Sequence, residues 1–378
     1  MEASLNPFLV SGYFSSKYFC DRKTETGFLI RKVTNGNNVA IVSPRRMGKT
    51  GLIRHCFYQE QIRKNYYTFL IDIYATGDLR ELAFILGKEI FNVLKPKGRK
   101  LIDTFFEVIT SLRPAFKFDQ LTGEPVFDIG LGEIRKAEFT LDEIFCYLEA
   151  ADKPCILAID EFQQITNYPE KNVEAVLRTK IQQCKQTYFI FAGSQQHVMT
   201  NIFSSPSHPF YQSVTMMQLG CISEELYSEF VMTHFREANK IIASEQVMQV
   251  YDQFDGHTWY LQKVFNELFS LMVSGDACTS ELLSFAIEGI ISSQEFTFQE
   301  VLSRLPERQK EVLIAIAKEG KAENITSAFF VKKHSLLSSS SVQAAVKYLI
   351  GKDMILVNGN VYQVYDRFFG MWIADVFG

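Results

Sequence analysis

The 378-residue sequence has no excess of positive charge: 39 Lys and Arg stand against 43 Asp and Glu, a net charge of −4. With that balance no global field draws the chain onto nucleic acid or an anionic membrane surface, although a local patch stays open. A disulfide frame is missing too. The seven cysteines stand singly with no Cys-x-x-Cys spacing, so they read as reduced core thiols, neither cross-links nor a zinc site. No apolar run approaches the roughly 18 residues of a membrane span, and the first residues show no basic-then-apolar signal pattern. The expectation is a cytoplasmic protein with no membrane partner. Internal repeats are absent as well. What the chain does have is apolar bulk, 47% hydrophobic residues with 33 Phe and 16 Tyr, enough for folded cores in two or three domains.

One stretch organises the rest. The apolar run from Val39 to Val42 enters a loop of Ser43, Pro44, Arg45, Arg46 and Met47, which ends in Gly48-Lys49-Thr50. From Gly51 on, Leu52, Ile53, Cys56 and Phe57 have helical spacing. Strand, loop and helix are the context of a phosphate-binding loop, the Walker A motif. Its backbone N–H groups and the positive end of the helix converge on phosphates. Residues 43 to 51 are therefore the expected ATP-binding set. Lys49 is expected to reach the β- and γ-phosphates, and the Thr50 hydroxyl to ligate Mg²⁺. Gly48 is required because a Cβ there would obstruct the backbone's approach to the nucleotide. The motif usually opens with Gly, and Ser43 stands in that place. Pro44 pushes Ser43 toward the extended region, which Ser occupies without strain, so the loop can form.

A second motif follows. Cys155 to Ile159 is a short apolar run ending in Asp160-Glu161-Phe162, the Walker B arrangement. Asp160 is expected to hold the Mg²⁺ shell and Glu161 to polarise the water attacking the γ-phosphate. Both motifs in this order make an ATP-binding core.

In chain order, Asp21 reads as the N-cap of a helix that stops near Asn35-Gly36. Tyr66 to Tyr74 is a buried strand, and a helix follows from Asp78 to Leu94. Residues 116–130 alternate around Thr122-Gly123 as a hairpin would, an insertion that interrupts the strand–helix rhythm. Helices are expected over Leu141 to Ala150 and Glu170 to Cys184. The strand Tyr188 to Ser194 ends in a hydroxyl, making Ser194 the candidate γ-phosphate sensor, with Gln195 second. Val214 to Leu219 is the fifth strand. Alternating strands and helices imply a parallel α/β sheet with ligand at the strands' C-terminal ends, where all the chosen residues sit.

Beyond Gly220 strand signals stop. Ser223 to Arg304 reads as helical, interrupted at Asp255-Gly256 and Ser274 to Asp276. From Leu305 on come a helix over Gln309 to Lys318, another over Val342 to Lys352 capped by the serines from Ser338, and a hairpin over Ile355 to Val364 turning at Asn358-Gly359. Helices followed by a short hairpin point to a winged helix. The division expected is 1–220 for the core, 221–304 for an all-α lid and 305–378 for the winged-helix domain.

The two phosphate motifs, with Tyr365-Asp-Arg-Phe-Phe-Gly-Met-Trp372 near the end, give a resemblance. The chain resembles the prokaryotic AAA-like ATPases described as archaeal-type, relatives of the STAND and origin-recognition ATPases. Asn6-Pro7-Phe8 and Phe19 to Glu25 resemble that group's opening segment, which lies near the adenine. The resemblance spans nearly the whole chain and implies a P-loop ATPase core, a helical lid and a C-terminal winged helix. Two positions depart from the pattern. The Gly-x-Pro of the lid is here Gly256-His257-Thr258, without proline. Between Ser194 and Cys221 there is no Arg or Lys to serve as an arginine finger, so a ring of mutually activating subunits is not supported.

Three functions compete. The first is an ATP-dependent conformational switch acting on a protein partner of unknown identity, with slow hydrolysis until that partner engages. The second is a DNA-binding ATPase of origin-recognition type. From Leu305 to the end, nine Lys or Arg stand against seven Asp or Glu, a far weaker concentration of charge than DNA-binding modules carry. The third is a non-hydrolysing nucleotide scaffold, which the intact Asp160-Glu161 pair argues against.

Overall fold

A computed structural model of the protein describes residues 6–94, 99–118, 125–127 and 136–378. Contacts divide the chain into two units, Ser11–Leu226 and a second made of residues up to Val10 with Tyr227–Gly378.

The strands of the Ser11–Leu226 unit are β1 (Val39–Val42), β2 (Tyr67–Asp72), β3 (Phe116–Phe118), β4 (Pro125–Phe127), β5 (Cys155–Asp160), β6 (Thr187–Gly193) and β7 (Thr215–Gln218). Its helices are α1 (Lys23–Thr34), α2 (Lys49–Tyr58), α3 (Glu60–Asn65), α4 (Leu79–Leu94), α5 (Arg99–Val108), α6 (Ala137–Glu149), α7 (Val173–Gln183) and α8 (Gln196–Ser204). Five strands form one sheet in the order β2-β5-β6-β1-β7, with every pairing parallel. Both faces are covered, because successive side chains alternate between two apolar layers. Ala40, Val42, Leu157, Ile159, Phe189 and Phe191 point into the layer closed by α4, α6, α7 and α8. Val39, Ile41, Ile156, Ala158, Ile190 and Ala192 point into the layer closed by α1, α2 and α3. This is the parallel α/β core expected from the sequence. In it β6 lies between β1 and β5, so the strand ending in Ser194 separates the two motif strands.

Two local expectations need correction, and a third is met as far as the described residues reach. Helix α1 begins at Lys23 behind Arg22, and no side chain caps it. Asp21 (φ 48°) and Arg22 (φ 60°) both sit in the left-handed region, and Arg22, not Asp21, takes the capping position. The insertion does contain an antiparallel pair, Phe116 opposite Phe127, but its expected turn at Thr122-Gly123 lies outside the described residues. The serine-capped helix starts at Ser339, not Val342: Ser338 alone caps it, accepting from the Ser341 N–H at 3.2 Å, and the next three serines form the first turn.

The second unit carries α9 (Glu224–Glu237, whose first turn precedes the boundary), α10 (Ser244–Gln253), α11 (Thr258–Leu271), α12 (Ser280–Ser292) and α13 (Glu295–Ser303). The stretch is not helical throughout, since Ile241 and Ala277 form a parallel bridge between the interhelical loops. Then follow α14 (Glu307–Glu319), β8 (Ala322–Glu323), α15 (Ala328–Lys333), α16 (Ser339–Gly351), β9 (Ile355–Asn358), β10 (Val361–Val364) and α17 (Arg367–Phe377). Strands β8-β10-β9 make a small sheet beside the three helices, a winged helix with β9 and β10 as the wing. Gly359, at φ 59°, supplies the left-handed turn of that wing.

Two stitches hold this unit together. Phe8 is fully buried among Phe230, Phe235, Phe265 and Phe269, with ring centroids 5.5 to 6.0 Å away. The Asn6 amide donates to the Asn266 carbonyl at 2.9 Å, and Asn266 returns a bond to the Phe8 carbonyl at 2.7 Å. The second stitch is the C-terminal aromatic motif. Tyr260 Oη donates to the Tyr365 carbonyl and accepts from the Arg367 N–H, both at 3.2 Å. Arg367 also reaches the Asp255 carboxylate at 3.0 Å.

Candidate functional site

Strand β1 delivers the loop, and α2 receives it. Ser43 is fully buried, its N–H facing the Gly193 carbonyl at 3.4 Å and its hydroxyl donating to the Pro44 carbonyl at 3.0 Å. It is not among the residues with positive φ, so it meets the loop without left-handed strain. Arg45 and Arg46 form the turn, Arg46 at φ 67°. Met47 is buried as an apolar plug. Gly48 caps α2 at φ 89°, and no heavy atom lies within 4 Å of where a Cβ would stand. The helix begins with no side-chain cap, so the N–H groups of its first turn keep their donors. Gly51 lies in that turn against Phe19, which a Cβ would touch at 3.4 Å; Phe19 in turn stacks on His55, centroids 4.3 Å apart.

Lys49 is only 5% exposed, and its Nζ donates to the Pro44 carbonyl at 3.3 Å. Burial holds the ammonium below its ordinary pKa, the charges of Glu161 and Asp160 pull it back up, and Arg45 pushes it down. Opposite it, burial raises the Asp160 carboxyl, with Glu161 adding to the rise, while the Thr50 hydroxyl and Lys49 oppose it. Thr50 Oγ1 donates to Asp160 Oδ2 at 2.5 Å, so the two oxygens expected to share a cation already sit side by side.

Glu161 follows Asp160 in the left-handed region, at φ 56°. Its N–H turns back onto Asp160 Oδ1 at 3.0 Å, and Phe162 is driven into the core against Phe191, Phe203 and Phe210. That plug fixes the turn. From β6, Ser194 Oγ donates to Glu161 Oε2 at 2.7 Å. The structure therefore brings together Lys49, Thr50, Asp160, Glu161 and Ser194 at the C-terminal ends of β1, β5 and β6. Gln195, the second sensor candidate, instead stands at the N-terminus of α8.

Two residues escaped the sequence reading. Gln163 is 4% exposed, and its Nε2 donates to Glu161 Oε2 at 2.5 Å and toward Ser194 Oγ at 3.4 Å. Its only signal was its place two residues after the carboxylate pair. Arg22 had been noted only within the opening segment. It is 3% exposed and donates to the Gly220 carbonyl at 2.7 Å, to the Met47 carbonyl at 3.4 Å and to Glu25 at 2.9 Å, bracing the phosphate loop against the exit of β7. The Arg22-x-x-Glu25 spacing was the available clue.

These groups have the chemistry of a polyphosphate and divalent-cation site: uncapped amides, a buried ammonium, and paired hydroxyl and carboxylate oxygens. Among the described residues no cluster of three or more His, Cys, Asp or Glu has metal-binding geometry, and no helix is long and apolar enough to cross a membrane.

Comparison with known proteins agrees at the level of fold. A family described as "probable winged helix domain" matches residues 296–375. The Walker-type ATPase of Pyrococcus abyssi is similar over 97% of this chain and 99% of its own, with a TM-score of 0.64 and 17% identity. The ORC2 protein of Aeropyrum pernix, solved in ADPNP–ADP complexes, is similar over 98% of this chain and 96% of its own, with a TM-score of 0.59 and 11% identity. The ORC1 protein of the same organism, solved in complex with DNA, covers 95% of this chain and 93% of its own, with a TM-score of 0.53 and 11% identity. No curated protein matches the sequence. The chain has the fold of a P-loop ATPase with a C-terminal winged helix.

Proposed function

We propose that the protein binds ATP with Mg²⁺ and hydrolyses it to ADP and phosphate, using the cycle as a conformational switch. The observation that carries this reading is the meeting of Lys49, Thr50, Asp160, Glu161 and Ser194 at the C-terminal ends of β1, β5 and β6. The loop amides from Ser43 to Gly51 and the Lys49 ammonium hold the phosphates, and Arg45 and Arg46 add positive charge at the rim. Thr50 and Asp160 would hold Mg²⁺, which when bound would supply charge neutralisation to the phosphates. Glu161 takes a proton from the attacking water as general base, and Ser194 donates its hydroxyl to the terminal phosphate. Residues 221–304 then act as the lid and 305–378 as the output module. Hydrolysis is slow until a protein partner engages the switch, since Ser194 to Cys221 offers no arginine.

Nucleotide-bound ORC2 and DNA-bound ORC1 among the structural neighbours support the nucleotide reading and raise DNA as the second one. The surface of the winged helix favours a protein partner. Phe329 is 77% exposed and Leu337 67%, whereas Lys333 is paired with Glu319 at 2.6 Å and Lys321 with Asp255 at 2.5 Å.

The test is steady-state phosphate release with Glu161→Gln beside the wild type. That variant keeps the shape and loses the base, so it should bind ATP and hydrolyse it about 100-fold or more slowly. Wild-type turnover in the variant would remove Glu161 from the mechanism, and failure of the wild-type chain to bind ATP would remove the ATPase reading itself.

A further inference from the structure

Gln163 is buried with half of its amide unused. Its Nε2 serves Glu161 and Ser194, while its Oε1 has no hydrogen-bond partner among the described residues. Burying a carbonyl without a partner costs stability. The neighbouring backbone has also given way to it: a Cβ on Gly193 would come within 2.6 Å of that Oε1 and 2.4 Å of Met199 Sδ. The Gln163 backbone is held in the 3₁₀ turn Phe162–Asn167, where Thr166 Oγ1 donates to its main-chain carbonyl at 2.8 Å. A group retained at this cost is retained for its N–H.

Counting protons gives the rest. A serine hydroxyl has one proton to donate. At 2.7 Å that of Ser194 is committed to Glu161 Oε2, the oxygen that also takes the Gln163 N–H. Ser194 cannot donate to Glu161 and to a phosphate oxygen at once.

We propose that Ser194, Glu161 and Gln163 form a latch read by the terminal phosphate, with Gln163 as the positioning residue. Without a γ-phosphate, Ser194 and Gln163 together hold the carboxylate. A γ-phosphate oxygen accepts the Ser194 hydrogen bond in place of Glu161 with the hydroxyl keeping its proton, one oxygen of Glu161 is freed from that donor, and the Gln163 N–H alone keeps the carboxylate aimed. A nucleoside diphosphate leaves the latch shut. Base release and recognition of the triphosphate are then one event. The proposal rests on the ATPase reading above and can fail while that reading stands.

Two measurements test it. The first is calorimetric affinity for a non-hydrolysable ATP analogue and for ADP, in a cycle of Glu161→Ala, Ser194→Ala and the double variant. Glu161→Ala frees the Ser194 proton and should raise the analogue-to-ADP preference about 5- to 10-fold, a coupling of roughly 1 to 1.4 kcal/mol. The gain should vanish in the Ser194→Ala background. A gain that survives there reflects loss of carboxylate charge alone and overturns the latch.

The second measurement isolates Gln163. Gln163→Glu keeps the volume and removes the donor, so kcat should fall about 100-fold at pH 8 with KM within about threefold of wild type. Protonation of the introduced carboxyl restores an O–H donor, so the deficit should shrink as the pH is lowered toward 6. Gln163→Leu should show the same loss without recovery in acid. Should Gln163→Leu fail to fold, the acid recovery of Gln163→Glu decides alone. A loss below threefold, or one independent of pH in Gln163→Glu, overturns the role of Gln163, and wild-type binding and turnover in the same assay report separately on the ATPase reading.

Discussion

Cations are treated in opposite ways at the phosphate loop and in the winged helix. At the loop Lys49 is stripped of water, and its Nζ donates to a backbone carbonyl. In the winged helix Lys333 and His334 both contact Glu319, which those bonds hold below the usual carboxylate range. Lys321 and Arg367 likewise share Asp255. A desolvated cation is costly unless an anion joins it, whereas an internally paired one has little left for a phosphate backbone. The difference is one of exposure: Lys49 is buried, with Glu161 and Asp160 as its neighbouring anions, whereas Lys321 and Lys333 stay at least half exposed in surface pairs.

The most damaging change should be Lys49→Ala, which removes the cation facing the β- and γ-phosphates. Calorimetry should show ATP affinity reduced about 100-fold or more, while Lys347→Ala on α16 leaves it unchanged. Equal effects from the two would erase the contrast between the regions. Next comes DNA. With nine Lys or Arg against seven Asp or Glu from Leu305 onward, the full chain should bind duplex DNA weakly at physiological salt, with a salt slope of about −2 to −4. Anisotropy titrations on random and host-derived duplexes, with and without ATP, would reveal a steeper slope or tight binding if the winged helix were a phosphate reader. The smallest effect is expected at Ser43. Because it enters the loop without positive φ, Ser43→Gly should shift nucleotide affinity by less than about tenfold, or ~1.4 kcal/mol. A much larger gain would mean that Ser43 obstructs the cradle and that the loop is a weakened phosphate binder.

The parts of the site that were legible in the sequence are those encoded within a few consecutive residues. Gly48-Lys49-Thr50 and Asp160-Glu161 each carry their chemistry locally, and the apolar runs around them announce β1 and β5. The wing was legible for the same reason, since Asn358-Gly359 is a turn signal between two strand-like runs. Gln163 was not, because its role depends on Ser194 arriving from another strand through the pairing of β5 with β6. Arg22 was missed as a brace because its acceptors, Met47 and Gly220, lie far along the chain. The start of α1 was misplaced because two consecutive left-handed residues, Asp21 and Arg22, defeat a rule that assumes an extended cap.

Phe8 has a consequence for how the chain is made. It precedes the Ser11–Leu226 unit in the chain, yet its socket is built from Phe230, Phe235, Phe265 and Phe269, which follow that unit. The ring cannot be buried until the whole Ser11–Leu226 unit and most of α11 have left the ribosome. The second unit is thus completed by residues that come before the Ser11–Leu226 unit in the chain, a unit that can fold before it. A fragment begun at Tyr227 would carry an open, phenylalanine-lined socket. Removing residues 1–10 would therefore injure the unit that contains Tyr227–Gly378 and leave the phosphate loop of the other unit intact.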